Sequence, residues 1–215
     1  MAGHSAAAMM AGWVAGAITL IFKASASSSP ASATHTYVGA TLSTTGHTVV
    51  CIAHRNASNT TISSVTVDGT AATNAISTTS GDGTGAGIWV AAATGNATGT
   101  ITIVFSASTA RSGMATYGMV GAGSATPTAT ATDIASPISQ SLTINTGGCG
   151  IAAYMSTDTA TMTWGGTGVV EDVDAQVDAQ LYSFSSNITA GTPTWTATPS
   201  SGPGSPACVF AAFGP

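Results

Sequence analysis

Apolar and polar residues alternate in short runs along most of the chain, and a period of two is typical of β-strands with one buried face. The clearest one-sided sets are Ile101, Ile103 and Phe105, and Ala207, Val209, Ala211 and Phe213. The runs are bounded by Gly, Asn, Ser or Pro, which favour turns. About twelve strands are predicted in this way: 17–27, 48–55, 64–68, 87–94, 98–107, 113–120, 141–145, 150–155, 161–164, 177–185, 193–198 and 207–213.

Helical periodicity is weak in the same pattern. No stretch after residue 24 has an apolar period of 3.6 residues, and the one helix candidate is 6–15, where Met9 and Trp13 lie four residues apart. About twelve short strands at regular spacing predict an all-β fold, an antiparallel β-sandwich with a jelly-roll-like arrangement. We assign residues 1–16 to a short apolar N-terminal arm and residues 17–215 to the β-sandwich domain.

Two Ser/Thr/Pro-rich segments, 25–34 and 122–137, are predicted to be loops or an edge crossing. The second could divide two half-sandwiches, but the sequence shows no repeat of fixed period, so we keep one domain. The dipeptide Asp68-Gly69 predicts a turn after the strand 64–68. Residues 96–99 predict the turn between two other strands.

The apolar stretch 5–22 reaches the lower length limit for a membrane span. Gly and Ala dominate its first half, however, and the strand period begins at residue 17. No Lys or Arg precedes the stretch, as a signal peptide would require, although the tripeptide 24–26 resembles a cleavage site. We therefore expect no membrane partner.

Charge is scarce in this chain. Charged residues make up 5% of it, with only three basic side chains and a formal net charge of -5, whereas ordinary soluble domains contain about 25% charged residues. Binding to nucleic acid needs several Lys or Arg side chains on one face, so no nucleic-acid partner is expected. Thr, Ser and Gly supply the polarity instead, and this bias also favours strands and turns.

The cysteines and aromatic residues favour burial over chemistry. Three cysteines are an odd number, and each lies in an apolar run, so we expect small buried side chains without a disulfide framework. Three tryptophans lie in predicted strands, where core or interface packing is the expected role and an exposed sugar-stacking platform is the alternative. These residues are Cys51, Cys149, Cys208, Trp89, Trp164 and Trp195.

No catalytic or cofactor motif is present in the sequence. The Gly-rich stretch 81–87 lacks the spacing of a dinucleotide-binding loop and predicts a hairpin loop instead. The histidines have no metal-binding spacing, although His47 and His54 flank one predicted strand. The complete set of histidines is His4, His35, His47 and His54. We expect no catalytic residue, no cofactor and no metal.

The one concentration of charge is the acidic run 171–178. Four of its side chains repeat the opening of a calcium-binding loop: Asp172, Asp174, Gln176 and Asp178. The pattern then fails, because Val177 stands where the turn glycine belongs and Ser183 where the bidentate glutamate belongs. We expect a solvated acidic loop, or a partner for Arg55 or Arg111 of a neighbouring subunit, rather than an ion site or the carboxylate pair of a glycoside hydrolase.

Several segments together resemble small virion structural proteins of tailed bacteriophages. The segments are AITLIFKASAS, TTGHTVVCIAHRNAS, ISSVTVDGTAAT and GAGIWVAAATGNATGTITIVFSAS, followed by RSGMATYGMVGAG, SLTINTGGCGIAAYMS and the closing ACVFAAFGP. The resemblance covers residues 17–215 and rests on the order and style of the strands. It implies a β-sandwich on the phage particle, as a capsid decoration (cement) protein, a head fibre or a tail-associated component.

We therefore expect a non-enzymatic virion structural protein, a decoration protein on the outer capsid surface that stabilises the particle through subunit contacts. The expected partners are copies of the chain itself, with a trimer favoured by the resemblance, and the major capsid protein or another virion component. One alternative is a receptor- or glycan-binding β-sandwich module of a phage tail or bacterial adhesin. Another is a secreted bacterial surface protein or enzyme.

The N-terminal arm is the predicted assembly contact. It is uncharged apart from His4 and the terminus, and its larger side chains are Met9, Met10, Trp13 and Val14. Met and Trp are enriched at protein interfaces, and apolar patches left in water usually mark contacts. The rival interpretation is that the arm folds back on its own sandwich.

Overall fold

The computed structural model describes residues 16–56, 59–157, 160–200 and 204–215, and strands and turns account for all regular structure among them. The all-β prediction is confirmed, with seventeen strands in place of about twelve. They are β1 (Thr19–Ser28), β2 (Ser32–Thr41), β3 (His47–Arg55), β4 (Ile62–Val67), β5 (Thr70–Ala71), β6 (Thr73–Thr79), β7 (Thr84–Ala92), β8 (Thr98–Thr109), β9 (Arg111–Val120), β10 (Ala129–Asp133), β11 (Ile138–Ser141), β12 (Cys149–Ser156), β13 (Met162–Gly165), β14 (Val169–Val177), β15 (Gln180–Asn187), β16 (Thr194–Pro199) and β17 (Ala207–Phe213).

The strands form four antiparallel sheets, two in each half of the chain. In the first half, the first inner sheet has the order β1-β9-β3-β7-β6 and the first outer sheet the order β2-β8-β4-β5. In the second half, the second inner sheet has the order β10-β17-β12-β15-β14 and the second outer sheet the order β11-β16-β13. Each inner sheet packs on its own outer sheet, which gives a first sandwich (19–120) and a second sandwich (129–213).

The two sandwiches have the same topology. The strands of the inner sheets correspond in order: β1, β9, β3, β7 and β6 match β10, β17, β12, β15 and β14. In the outer sheets, β2, β8 and β4 match β11, β16 and β13. Successive strands cross repeatedly between the two sheets of each half, which is a jelly-roll-like path. The chain therefore contains two copies of one structural repeat, which the sequence alone did not show.

A small hydrogen-bonding motif recurs at matching places in the two halves. The amide of Thr61 donates to Ser106 Oγ at 3.0 Å, and the amide of Ser106 donates back to the carbonyl of Thr61 at 2.9 Å. Thr161 and Ser200 repeat both bonds, at 3.1 and 2.9 Å. This shared motif fixes the correspondence between the two outer sheets.

The sandwiches share a third core between their inner sheets. Side chains from β3, β7 and β9 meet side chains from β12, β15 and β17 in one buried cluster, so the layers run outer, inner, inner, outer. The edge strand β1 lies against β14, and β6 lies against β10. Because β14 corresponds to β6 and β10 to β1, the two sandwiches meet as in a two-fold symmetric dimer. Whether residues 17–215 behave as one unit therefore depends on this shared core.

Several segment predictions are corrected by the strands. The loop predicted at 25–34 is mostly strand, since β1 and β2 extend through it. The loop predicted at 122–137 contains β10, and its first part joins the two sandwiches. The turn at Asp68-Gly69 is confirmed, and both residues have positive φ there. Among the described residues, no helix is long and apolar enough to cross a membrane.

Candidate functional site

The predicted assembly residues Met9, Met10, Trp13 and Val14, and the helix candidate 6–15, lie outside the described residues. The described chain begins at Gly16, beside the junction of the two sandwiches. The amide of Ile18 donates a 2.7 Å hydrogen bond to the carbonyl of Gly147 in the second sandwich. The N-terminal segment therefore joins the body of the protein at this junction.

Exposed apolar side chains lie next to the same place, on the paired strands β1 and β9 and on β14. Ile21 is 45% exposed and Val170 is 56% exposed, and Phe22 and Val120 are also exposed. The Phe22 ring packs edge-on against the buried ring of Tyr117, with 5.6 Å between the centroids. Because β1 pairs with β9 and lies against β14, we call Ile21, Phe22, Val120 and Val170 the β1–β14 edge. Ile21 and Phe22 are consecutive strand residues and lie on opposite faces of β1.

The acidic run is a strand and a turn, which corrects the loop prediction. Residues 169–177 form β14, an edge strand with a bulge between Glu171 and Val173, and charged residues on an edge discourage further strand pairing. Glu171 accepts a hydrogen bond from the amide of Trp164 at 3.2 Å. Asp178, in the turn, forms a 3.5 Å ion pair with Arg111 of the same chain. No group of three or more potential metal ligands occurs among the described residues.

Asp172 has a structural contact of its own. Its carboxylate accepts a 2.9 Å hydrogen bond from the phenol of Tyr117, which belongs to the opposite inner sheet. Burial raises the pKa of Asp172, and hydrogen bonds from Ser186 and Tyr117 partly oppose that rise. Burial also raises the pKa of Tyr117 well above its ordinary value. The pair links the two sandwiches.

Two histidines come together inside the first sandwich, around the ring of Phe105. The ring centroid of His54 lies 4.9 Å from that of Phe105, and the centroid of His35 lies 5.6 Å from it. His35 Nε2 lies 2.8 Å from Thr109 Oγ1, whereas neither ring nitrogen of His54 has a hydrogen-bond partner. Burial and the neighbouring His35 lower the pKa of His54 to about 4, so its ring is neutral near pH 7.

His54 lines a pocket of about 280 Å³ at the side of the first sandwich. The other lining residues come from the start of β4 and from the edge strand β6: Thr61, Ile62, Ser77, Thr78 and Thr79. The strand β7 runs between β3 and β6, and presents Gly85 and Gly87 beside His54 and Ser77 respectively. Four of the six lining residues carry hydroxyl groups, and none of the six side chains is ionised near pH 7.

The two glycines are required by the packing around the pocket. A Cβ atom at Gly85 would collide with the imidazole of His54, and one at Gly87 would lie 2.6 Å from Ile62 Cδ1. The indole nitrogen of Trp89 would lie 3.3 Å from a Cβ at Gly87, and this buried nitrogen also lacks a partner. The glycines therefore make room both for the histidine ring and for the pocket.

The second sandwich has larger side chains at the corresponding positions. Aligning the ends of the β3–β9 and β12–β17 ladders places Tyr154 at the position of His54. Ser183 then stands at the position of Gly85, since it pairs with Tyr154. Ser183 Oγ accepts a 2.6 Å hydrogen bond from the indole of Trp164 and donates to the carbonyl of Val173. Trp164 and Ser183 thus bond each other on this face of the second sandwich.

The three tryptophans and the three cysteines are buried, as predicted. Trp89, Trp164 and Trp195 belong to the two intra-sandwich cores, and all three cysteines are fully buried and free. Burial raises the pKa of the Cys149 thiol to about 12 and those of the other two thiols well above their ordinary value. Among the described residues, Phe22 is the one substantially exposed aromatic side chain.

Sequence signals for the pocket were weak. The stretch 81–87 was interpreted as a hairpin loop, whereas β7 begins at Thr84 and supplies the two glycines from within a strand. His54 was noted only as flanking a strand. No protein-family model matches the chain, and no curated protein or solved structure is significantly similar to it.

Proposed function

We propose that this chain is a non-enzymatic structural protein of a virus particle, a decoration protein on the outer capsid of a tailed bacteriophage. In this role it stabilises the particle through subunit contacts. The observation that carries the proposal is the group of exposed apolar side chains at the β1–β14 edge, next to the point where the apolar N-terminal segment joins the body. Exposed apolar groups beside an apolar segment are typical of an interaction surface.

The fold supports the same role. Jelly-roll sandwiches occur in viral capsid proteins and in lectins, so the fold is compatible with either and does not by itself decide the function. The described residues contain no cluster of metal ligands, and the acidic side chains of β14 are engaged in contacts that hold the fold together. Structural contacts thus account for the charged residues that the sequence had singled out.

The proposed partners follow from the apolar surface and the low charge. With 5% charged residues, the chain has little of the charge that keeps small domains apart, so association through apolar contacts is favoured. The partners proposed are other copies of this chain, as a trimer, and the major capsid protein beneath them. The arm residues Met9, Met10, Trp13 and Val14 would take part in these contacts.

The direct test is to locate the chain on purified particles and then remove its contacts. Three variants are compared with the natural chain: deletion of residues 2–16, the double substitution Ile21→Ser with Phe22→Ser, and Ile134→Ser. Ile134 is an exposed apolar residue that follows β10 and is not part of the β1–β14 edge, and it serves as the control. The proposal expects the first two variants to lose particle occupancy and the control to keep it. Full occupancy of all three would refute the proposed contact.

A further inference from the structure

We propose that the pocket beside His54 is a binding site for a small uncharged ligand with neighbouring hydroxyl groups, a single sugar ring or an open-chain polyol. The inference does not depend on the particle role, and it gives the first sandwich a recognition function of its own. Three observations support it. The buried imidazole of His54 has no hydrogen-bond partner, the second sandwich has larger side chains at the corresponding positions, and the lining of the pocket is uncharged.

The imidazole of His54 is the main polar group that the fold leaves unsatisfied in the pocket. The residue is 1% exposed, and both ring nitrogens lack a hydrogen-bond partner. Buried polar groups are hydrogen-bonded in the great majority of proteins, because an unsatisfied one loses its hydration without compensation. A neutral imidazole offers one donor and one acceptor, and a hydroxyl group can pair with either. The two nitrogens point to opposite sides of the ring, so a hydroxyl of a ligand in the pocket would satisfy the nitrogen that faces it.

The internal repeat shows that this arrangement is not imposed by the topology. In the second sandwich, Tyr154 and Ser183 occupy the positions of His54 and Gly85, and Trp164 reaches across to Ser183. The first sandwich has instead two glycines in β7 and a shorter residue, Val65, at the position of Trp164. The same fold is therefore able to place larger side chains in this region, with Ser183 bonded to Trp164, and of the two sandwiches only the first combines the glycines with a buried histidine.

The pocket lining carries no charged group that would bind an ion. The pocket is lined by neither a carboxylate that would hold a cation nor a cation that would hold an anion. The adjacent Arg55 directs its guanidinium to the carbonyls of Asn56 and Asp82, the latter at 2.7 Å. His35, the other titratable group beside the His54 ring, has a lowered pKa through burial and is bonded to Thr109.

The volume of the pocket and the residues that line it limit which ligands could bind. The volume of about 280 Å³ lies just below the range of about 300 to 1,000 Å³ that is usual for drug-sized ligands, so one ring fits and an oligosaccharide does not fit within it. Thr61, Ser77, Thr78 and Thr79 line the space, and Ile62 is the one aliphatic residue of the lining. Hydrogen bonds rather than aromatic stacking would therefore hold the ligand.

The test follows the side-chain nitrogens of His54 by NMR in the full-length chain. Neutral monosaccharides (glucose, galactose, mannose and N-acetylglucosamine) and open-chain polyols (glycerol and sorbitol) are titrated separately into the millimolar range. The spectrum of His54→Phe identifies the His54 signals. The proposal expects a saturable shift of these signals with at least one compound. Comparing the ring sugars with the open-chain polyols then distinguishes the two kinds of ligand.

Two further variants make the result specific to the pocket. Ser77→Leu places a bulky apolar side chain in the lining from an exposed edge-strand position, and Thr73→Leu makes a similar change in the same strand outside the lining. Ser77→Leu should weaken binding by more than tenfold, and Thr73→Leu should leave it unchanged. The proposal is overturned if no compound gives a saturable shift, or if the shift persists at full affinity in Ser77→Leu.

Discussion

The phenol of Tyr117 in β9 donates a 2.9 Å hydrogen bond to the carboxylate of Asp172 in β14, and this bond joins the two sandwiches. Tyr117 is fully buried in the shared core, while Asp172 lies at the edge of the opposite inner sheet. The bond satisfies a buried hydroxyl and also provides a donor for a carboxylate whose pKa is raised by burial. Side chains of both halves thus form one connected interior.

Removing this hydroxyl should cost measurable stability. We expect Tyr117→Phe to lower the free energy of unfolding by about 2 kcal/mol at pH 7, because hydrogen bonds to charged groups contribute about 1.5 to 3 kcal/mol. Tyr37→Phe is the control, since the Tyr37 hydroxyl donates to the neutral carbonyl of Ser112 within the first sandwich, also at 2.9 Å. Denaturant titration measures both variants. A loss for Tyr117→Phe no larger than that for Tyr37→Phe would contradict the role of the pair.

The shared core predicts that both sandwiches unfold together. Each inner sheet buries one face on its own outer sheet and the other face on the second inner sheet, so a separated half would expose a broad apolar surface. We expect one calorimetric transition, with the calorimetric enthalpy equal to the van't Hoff enthalpy. Separately expressed fragments 16–124 and 125–215 should fail to fold as monomers. Two resolved transitions, or two independently folded fragments, would show that residues 17–215 are not one folding unit.

His54 should make the protein less stable in mild acid. Its pKa is about 4 in the folded protein and 6.5 in the unfolded chain, so the unfolded state binds the extra proton between these values. Stability from this group therefore falls as the pH falls from 6.5 to about 4, and the loss is complete below that. Since one pKa unit corresponds to about 1.4 kcal/mol, the full effect is about 3 kcal/mol.

The variant His54→Phe isolates this effect. Asp172 and Asp174 act in the opposite direction, because their raised pKa values let the folded state take up protons first as the pH falls. Both carboxyls, and His35, are present in the variant as well, so their contributions cancel in the comparison. Relative to the natural chain, the variant should gain about 3 kcal/mol between pH 7 and pH 4. Parallel stability curves for the two proteins would contradict the buried neutral state of His54.

The three cysteines should be unreactive until the protein unfolds. Cys51, Cys149 and Cys208 are fully buried, and burial raises the pKa of each thiol, so little reactive thiolate is present near pH 7. A thiol reagent should label none of them in the native chain and all three in denaturant. Rapid labelling of one cysteine in the native protein would contradict this arrangement. So would an intact mass that lacks the two hydrogens lost when a disulfide forms.

The fold class followed from the sequence because one-sided strands leave a period of two. The strand β8 was recognised for this reason, and β17 was recognised although it is buried on both faces, whereas the edge strands β2, β6 and most of β14 were missed. Edge strands are partly exposed on both faces, so their sequences lack a clear alternation. The acidic residues of β14 were interpreted as a loop for the same reason.

The internal repeat and the pocket depend on relationships that one sequence does not display. Topology is repeated although the residues at matching positions differ, as His54 and Tyr154 do. The pocket needs Gly85 and His54 to lie side by side on neighbouring strands, and the distance between them along the chain gives no sign of this. By contrast, the burial of the three cysteines could be predicted from their apolar neighbours, and that of the three tryptophans from their size and their place in predicted strands.

A cryo-electron microscopy map of particles purified from the producing host would show whether this chain is a structural component on the outside of a virus particle. We expect density for both sandwiches on the outer capsid surface, with the β1–β14 edge and the N-terminal segment turned toward neighbouring subunits. Particles that lack the chain altogether, with all of it recovered as free monomer in the soluble fraction, would contradict this proposal.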